Sequence, residues 1–67
     1  MKNYQLRAWQ CTNNGKVIGN IVLNHYEYGY VVKVHLFRIP GYIVDKCFPD
    51  KEKAIAFYEK TKAEYNK

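Results

Sequence analysis

Reactive side chains are few in these 67 residues and poorly spaced for catalysis. There is no serine, so a serine nucleophile is excluded. Cys11 and Cys47 are the only thiols, and His25 and His35 the only imidazoles. A cysteine nucleophile needs a base within hydrogen-bond reach and a pocket. In the strand order derived below, Cys11 and Cys47 lie on the first and fourth strands, about 14 Å apart at ~4.8 Å per step. That is too far for a disulfide or for one metal ion held by both. His35 stands two strands from Cys11. His25, His35, Cys11 and Cys47 show no metal-ligand spacing. Asp45 and Asp50 flank a junction and form no acid–base pair. "VIGN" and "NNGK" contain turn or strand glycines, with no phosphate-cradling loop. The sequence therefore predicts a non-enzymatic protein without metal or cofactor, whose cysteines serve as small apolar residues.

The elements that position these groups read as four strands and a helix. "NYQLRAWQC" alternates, and "TNNGK" follows it. Asn14-Gly15 predicts a type I′ hairpin turn, because both central residues need positive φ. "VIGNIVL" is a second strand, "NHYE" a polar loop and "YGYVVKVHLF" a third strand. Pro40-Gly41 signals another turn, before a fourth strand in "YIVDKCF". "PDKEKAIAFYEKTKAEYNK" then holds no glycine or proline after Pro49. Asp50 is placed to cap its first turn, where Glu52 suits the helix dipole. At 100° per residue Ala54, Phe57, Tyr58, Thr61 and Tyr65 share one face, with Ile55 at its edge.

Turn geometry sets an expected register. A two-residue turn pairs Asn13 with Lys16, and counting back pairs Arg7 with Val22, Ala8 with Ile21 and Trp9 with Asn20. Tyr4, Leu6 and Ala8 then share the apolar face with Val17, Gly19, Ile21 and Leu23. Gln5, Arg7, Trp9 and Cys11 share the other face with Ile18, Asn20 and Val22. A loop over Asn24–Glu27 adds Tyr28, Tyr30, Val32, Val34 and Leu36 to the first face. It adds Val31, Lys33, His35 and Phe37 to the second. In the fourth strand, a two-residue loop puts Asp45 in the core. A longer loop or a bulge puts Tyr42 and Val44 there instead. Stacking the helix on the apolar face gives an α+β fold, a two-layer ββββα domain with a four-stranded antiparallel meander spanning residues 1–67. The second sheet face is left open.

Composition bounds the partner. The chain is 48% hydrophobic and carries a net charge of +5, which favours an anionic partner or simply solubility. Its basic residues are scattered, with no basic tail. No apolar run approaches the ~20 residues that span a bilayer, so no membrane partner is expected. The methionine start and the lack of a signal-peptide pattern read as a complete cytoplasmic protein. An open face bearing Arg7, Trp9, Lys33, His35 and Phe37, with Arg38 beside it, is the expected binding site. Three occupants fit: nucleic acid, a protein anchored on Trp9, or a second copy in a face-to-face homodimer.

"FPDKEKAIAFYEKT", preceded by strands joined at "NNG", resembles the strand-to-helix junction of the amino-terminal DNA-binding domains of tyrosine integrases. Phe48, Ala54 and Phe57 carry that resemblance, over less than half of the chain. It implies a sheet that enters the DNA major groove, with Arg7, Trp9, Lys33 and Arg38 facing DNA. This chain departs from the pattern in an additional strand and in having no catalytic domain within its 67 residues. Its size and its lysine, asparagine and tyrosine content also resemble small phage and mobile-element proteins, among which protein-blocking inhibitors are common. The first expectation is nucleic-acid binding, specifically DNA; the alternative is a protein-binding inhibitor or adaptor.

Overall fold

A computed structural model describes residues 4–66. Strands β1 (Tyr4–Asn13), β2 (Lys16–Tyr26), β3 (Gly29–Leu36) and β4 (Val44–Phe48) precede one helix, α1 (Lys51–Glu64). The strands form one antiparallel sheet in the order β1-β2-β3-β4, the ββββα arrangement expected. No helix among the described residues is long and apolar enough to cross a membrane.

The first turn follows its chemistry, with Asn14 at φ 53° and Gly15 at φ 81°. The second turn is tighter than "NHYE" suggests. Asn24, His25 and Tyr26 continue β2, and only Glu27 and Tyr28 separate Tyr26 from its partner Gly29. Leu23 therefore pairs with Val32 rather than Tyr28, and Ile21 with Val34 rather than Tyr30. A shift of four residues keeps Tyr30, Val32, Val34 and Leu36 on their expected face, because strand side chains alternate with period two. Tyr28, expected on the apolar face with them, instead lies in the turn and is exposed. The open question at β4 also resolves. Val34 pairs with Val44 and Lys33 with Asp45, so Val44 lies on the helix side and Asp45 on the open side. Tyr42 falls outside the strand.

The β1–β2 ladder departs from expectation in its middle. Both ends pair as a simple count from the turn requires: Asn13 with Lys16, Thr12 with Val17, Gln5 with Asn24. Between them two bulges intervene. Leu6 is an extra residue on β1, between Gln5 and Arg7, and Ile18 an extra residue on β2, between the partners of Cys11 and Thr12. Arg7 consequently pairs with Leu23, Ala8 with Val22 and Trp9 with Ile21. A one-residue slip exchanges the faces of a strand. Arg7, Trp9 and Cys11 thus stand on the helix side and Ala8 on the open side, the reverse of the expected assignment.

The core lies between sheet and helix. Cys11, Ile21, Leu23, Val32, Val34, Ala54 and Tyr58 are buried there. Full burial of each large aliphatic side chain stabilises by about 1.5–3 kcal/mol. The helix begins as expected, since the Asp50 carboxylate accepts from the Glu52 backbone N–H at 3.0 Å. Ala54, Tyr58 and Thr61 form its buried stripe, with Ile55, Phe57 and Tyr65 partly covered beside them. Thr61 is satisfied within the helix, its hydroxyl donating to the Phe57 carbonyl at 2.8 Å. Past the helix, the Tyr65 carbonyl accepts from the Thr12 backbone N–H at 2.8 Å, which ties the chain end to the edge strand β1.

Two buried groups make stability pH-dependent. Burial raises the Cys11 thiol above its ordinary value. Tyr58 is also raised, mainly by burial, then by Glu59 and Cys11, against a lowering pull from Arg7. In the alkaline range the unfolded chain releases these protons while the folded chain keeps them. The unfolded state then binds fewer protons, so stability falls as pH rises. This contribution is intact below about pH 9 and is lost as pH climbs through the raised values. The urea midpoint should hold from about pH 7 to about pH 9 and drop by about pH 10.5. A constant midpoint would show that neither group is desolvated.

Candidate functional site

Three rows of paired residues cross the open face. Gln5, Asn24, Val31 and Cys47 form one; Ala8, Val22, Lys33 and Asp45 the next; Gln10, Asn20 and His35 the third. Val31 is buried. Around Lys33 the aromatic side chains gather. Its amine lies 4.9 Å from the Tyr42 ring centre and 5.7 Å from that of Tyr26. Such cation–π contacts are worth about 0.5–1 kcal/mol at exposed sites. Tyr26 stacks on Tyr28 with centroids 5.3 Å apart and planes 3° from parallel. The Asn24 side-chain amide donates to the Tyr26 hydroxyl at 3.1 Å, which fixes that ring. His35 meets Tyr42 edge-on at 6.1 Å and Phe37 at 6.3 Å. The outcome is a continuous strip, Tyr28–Tyr26–Lys33–Tyr42–His35–Phe37. Its solvent-facing members are Tyr28 (69% exposed), Tyr42 (56%) and Phe37 (56%).

At the Phe37 end of the sheet lies a groove of about 410 Å³, which Phe37 shares with the strip. Val17, Ile18, Leu36 and Ile39 line it, with Lys16 and Arg38 also on its walls. The Ile18 bulge helps shape it, because the Phe37 backbone N–H donates to the Ile18 carbonyl at 2.9 Å.

Of the residues expected to bind, the structure brings Lys33, His35 and Phe37 together and leaves Arg38 next to them. Arg7 and Trp9 are elsewhere. Arg7 pairs with Glu59 of the helix at 3.3 Å, both side chains about half exposed. An exposed pair of this kind contributes about 0–1 kcal/mol. Lys62 sits 4.0 Å from the Trp9 ring centre, so a helix lysine covers part of the tryptophan, which remains 42% exposed. Cys11 is buried and Cys47 exposed, on opposite faces of the sheet.

Three site residues escaped sequence reading: Tyr26, assigned to a loop, Tyr28, assigned to the apolar face, and Tyr42, whose side depended on an undecided register. A signal for Tyr26 was present in Gly29. With φ 146° and the Phe48 carbonyl 2.7 Å from any added Cβ, that glycine is needed where β3 starts.

The chain matches no protein-family model, no curated protein and no solved structure. The open face must therefore be interpreted through its own chemistry. Unlike the helix side, it has neither a covering element nor, among the described residues, an ion pair.

Proposed function

We propose that the protein is a small, non-enzymatic module that binds nucleic acid on the open face of its sheet. The observation that carries this reading is Lys33 held among aromatic rings on an uncovered sheet face, with Arg38 and Lys16 beyond Phe37. Rings offer stacking surfaces to bases, and cations beside them suit phosphates. The charge distribution agrees. Residues 50–64 hold four basic and four acidic side chains, whereas residues 1–49 hold six basic and two acidic. The excess positive charge thus belongs chiefly to the part of the sequence that precedes the helix.

Titration of labelled DNA and RNA from low to physiological salt tests this. Binding should weaken with salt, and Lys33→Ala should lower the salt slope by about 1. Trp9→Ala should leave affinity unchanged, since Trp9 lies on the helix side. Failure of both nucleic acids to bind at low salt would overturn the reading. The exposed apolar residues Val17, Phe37 and Ile39 at the groove favour a second one, a protein-binding inhibitor or adaptor. Co-purification of a partner that Phe37→Ala releases would support it.

A further inference from the structure

We infer that the open face takes single-stranded nucleic acid in preference to a duplex; this rests on the nucleic-acid reading above and narrows it. Three features of the face point the same way.

The rings come first. Among the described residues Tyr28, Tyr42 and Phe37 are the most exposed large hydrophobic side chains, and all belong to the strip. A base can stack on such a ring only when it is unpaired and splayed out. A duplex presents base edges in its grooves and keeps the base faces inside.

Width comes second. Four strands at ~4.8 Å per step span about 14 Å between the outer backbones, before side chains are added. The major groove of DNA is about 12 Å wide and admits a helix or a two-stranded ribbon. This face would lie across a duplex rather than enter its groove. The eight residues of β3, at ~3.3 Å each, offer a track about 26 Å long. That suits a short strand, toward the low end of the about 4–16 nucleotides known for single-strand-binding folds.

Charge is third. Among the paired rows of the face Lys33 is the one lysine or arginine, and Asp45 is its cross-strand partner. Arg38 and Lys16 add two cations at the groove. Three cations neutralise at most about three phosphates, where strongly salt-dependent duplex binders make about 6–10 such contacts. Stacking must then supply most of the affinity, at roughly five- to 150-fold per base. The groove continues this logic, because its aliphatic walls suit a terminal base and Lys16 and Arg38 the adjacent phosphate.

Fluorescence anisotropy on the full chain tests the inference, with labelled single strands of about 4–16 nucleotides, in DNA and RNA, against a duplex of the same sequence. Single strands should bind at least about tenfold tighter than the duplex, with a log–log salt slope near about −2. Tyr42→Ala and Tyr28→Ala should each weaken binding about tenfold without changing that slope. Both residues are exposed and outside the strands, and circular dichroism would verify that the variants fold. Duplex binding as tight as single-strand binding, a slope steeper than about −5, or wild-type affinity in Tyr42→Ala would overturn the inference and leave nucleic-acid binding standing. Absence of binding to any of the probes would overturn both.

Discussion

Gly19→Ala is expected to abolish cooperative folding. A Cβ at this position would lie 2.2 Å from the His35 carbonyl oxygen, 2.8 Å from Leu36 Cδ2 and 2.9 Å from Leu36 Cα. Two of these three atoms are backbone and cannot rotate away. Relief requires separating β2 from β3 beside the Ile18 bulge, in the middle of the sheet. Ordinary overpacking costs about 1–3 kcal/mol, and a backbone clash this deep exceeds it. At about 0.05–0.15 kcal/mol per residue, a chain of this length has only about 3–10 kcal/mol to lose. Urea titration followed by far-ultraviolet circular dichroism should show no cooperative transition. Gly15→Ala is the control: its Cβ meets nothing within 4 Å, so only the positive φ is penalised, by about 1–2 kcal/mol. A wild-type urea midpoint in Gly19→Ala would mean that the strands part far more easily than their ladder implies.

Tyr58→Ala is the second large effect. Tyr58 is 3% exposed and is the largest side chain that the helix buries in the core. Truncating a buried aromatic typically costs about 3–5 kcal/mol, through lost transfer energy and the cavity left behind. That is enough to release the helix from the sheet and unfold much of the population. Trp9 reports the event, because Lys62 of the helix rests 4.0 Å from its ring centre. Tryptophan emission and circular dichroism should change together, at a lower urea concentration than in the wild type. Tyr58→Phe keeps the ring, so it should retain most of the stability and remove the phenol's share of the alkaline loss. If Tyr58→Ala lowers stability by less than about 1 kcal/mol, the helix is held mainly by other contacts.

Much of the architecture was legible because several independent signals agree on it. Asn14-Gly15 marks the first hairpin, Asp50 marks the helix start, and the 3.6-residue spacing of Ala54, Tyr58 and Thr61 marks its buried stripe. The β2–β3 pairing was displaced by four residues, yet Val32, Val34 and Leu36 kept their faces because four is even. The first strand pair was different. Bulges at Leu6 and Ile18 have no obligatory residue type, and a count from the turn passes over them. Gly19 was the available sign, since a glycine inside a strand often marks a bulge or a close backbone approach. Two of the six expected site residues were misplaced for it. Lys33, His35 and Phe37 lie on a strand whose parity was right, and they come together. Arg7 and Trp9 lie on the shifted stretch of β1, and they face the helix. Tyr42 depended on the path of the seven residues between β3 and β4, where pleat alternation no longer dictates direction.

The paired bulges behave like two frameshifts that suppress one another. Between Leu6 and Ile18 the hairpin is read in an altered frame; outside them the original frame returns. A chain shortened by both residues would keep every cross-strand partner that this one has, from the Tyr4–His25 contact to the Asn13–Lys16 pair beside the turn. The two extra residues are thus insertions that the ladder absorbs, one on each strand, without either end of the hairpin having to change its pairing.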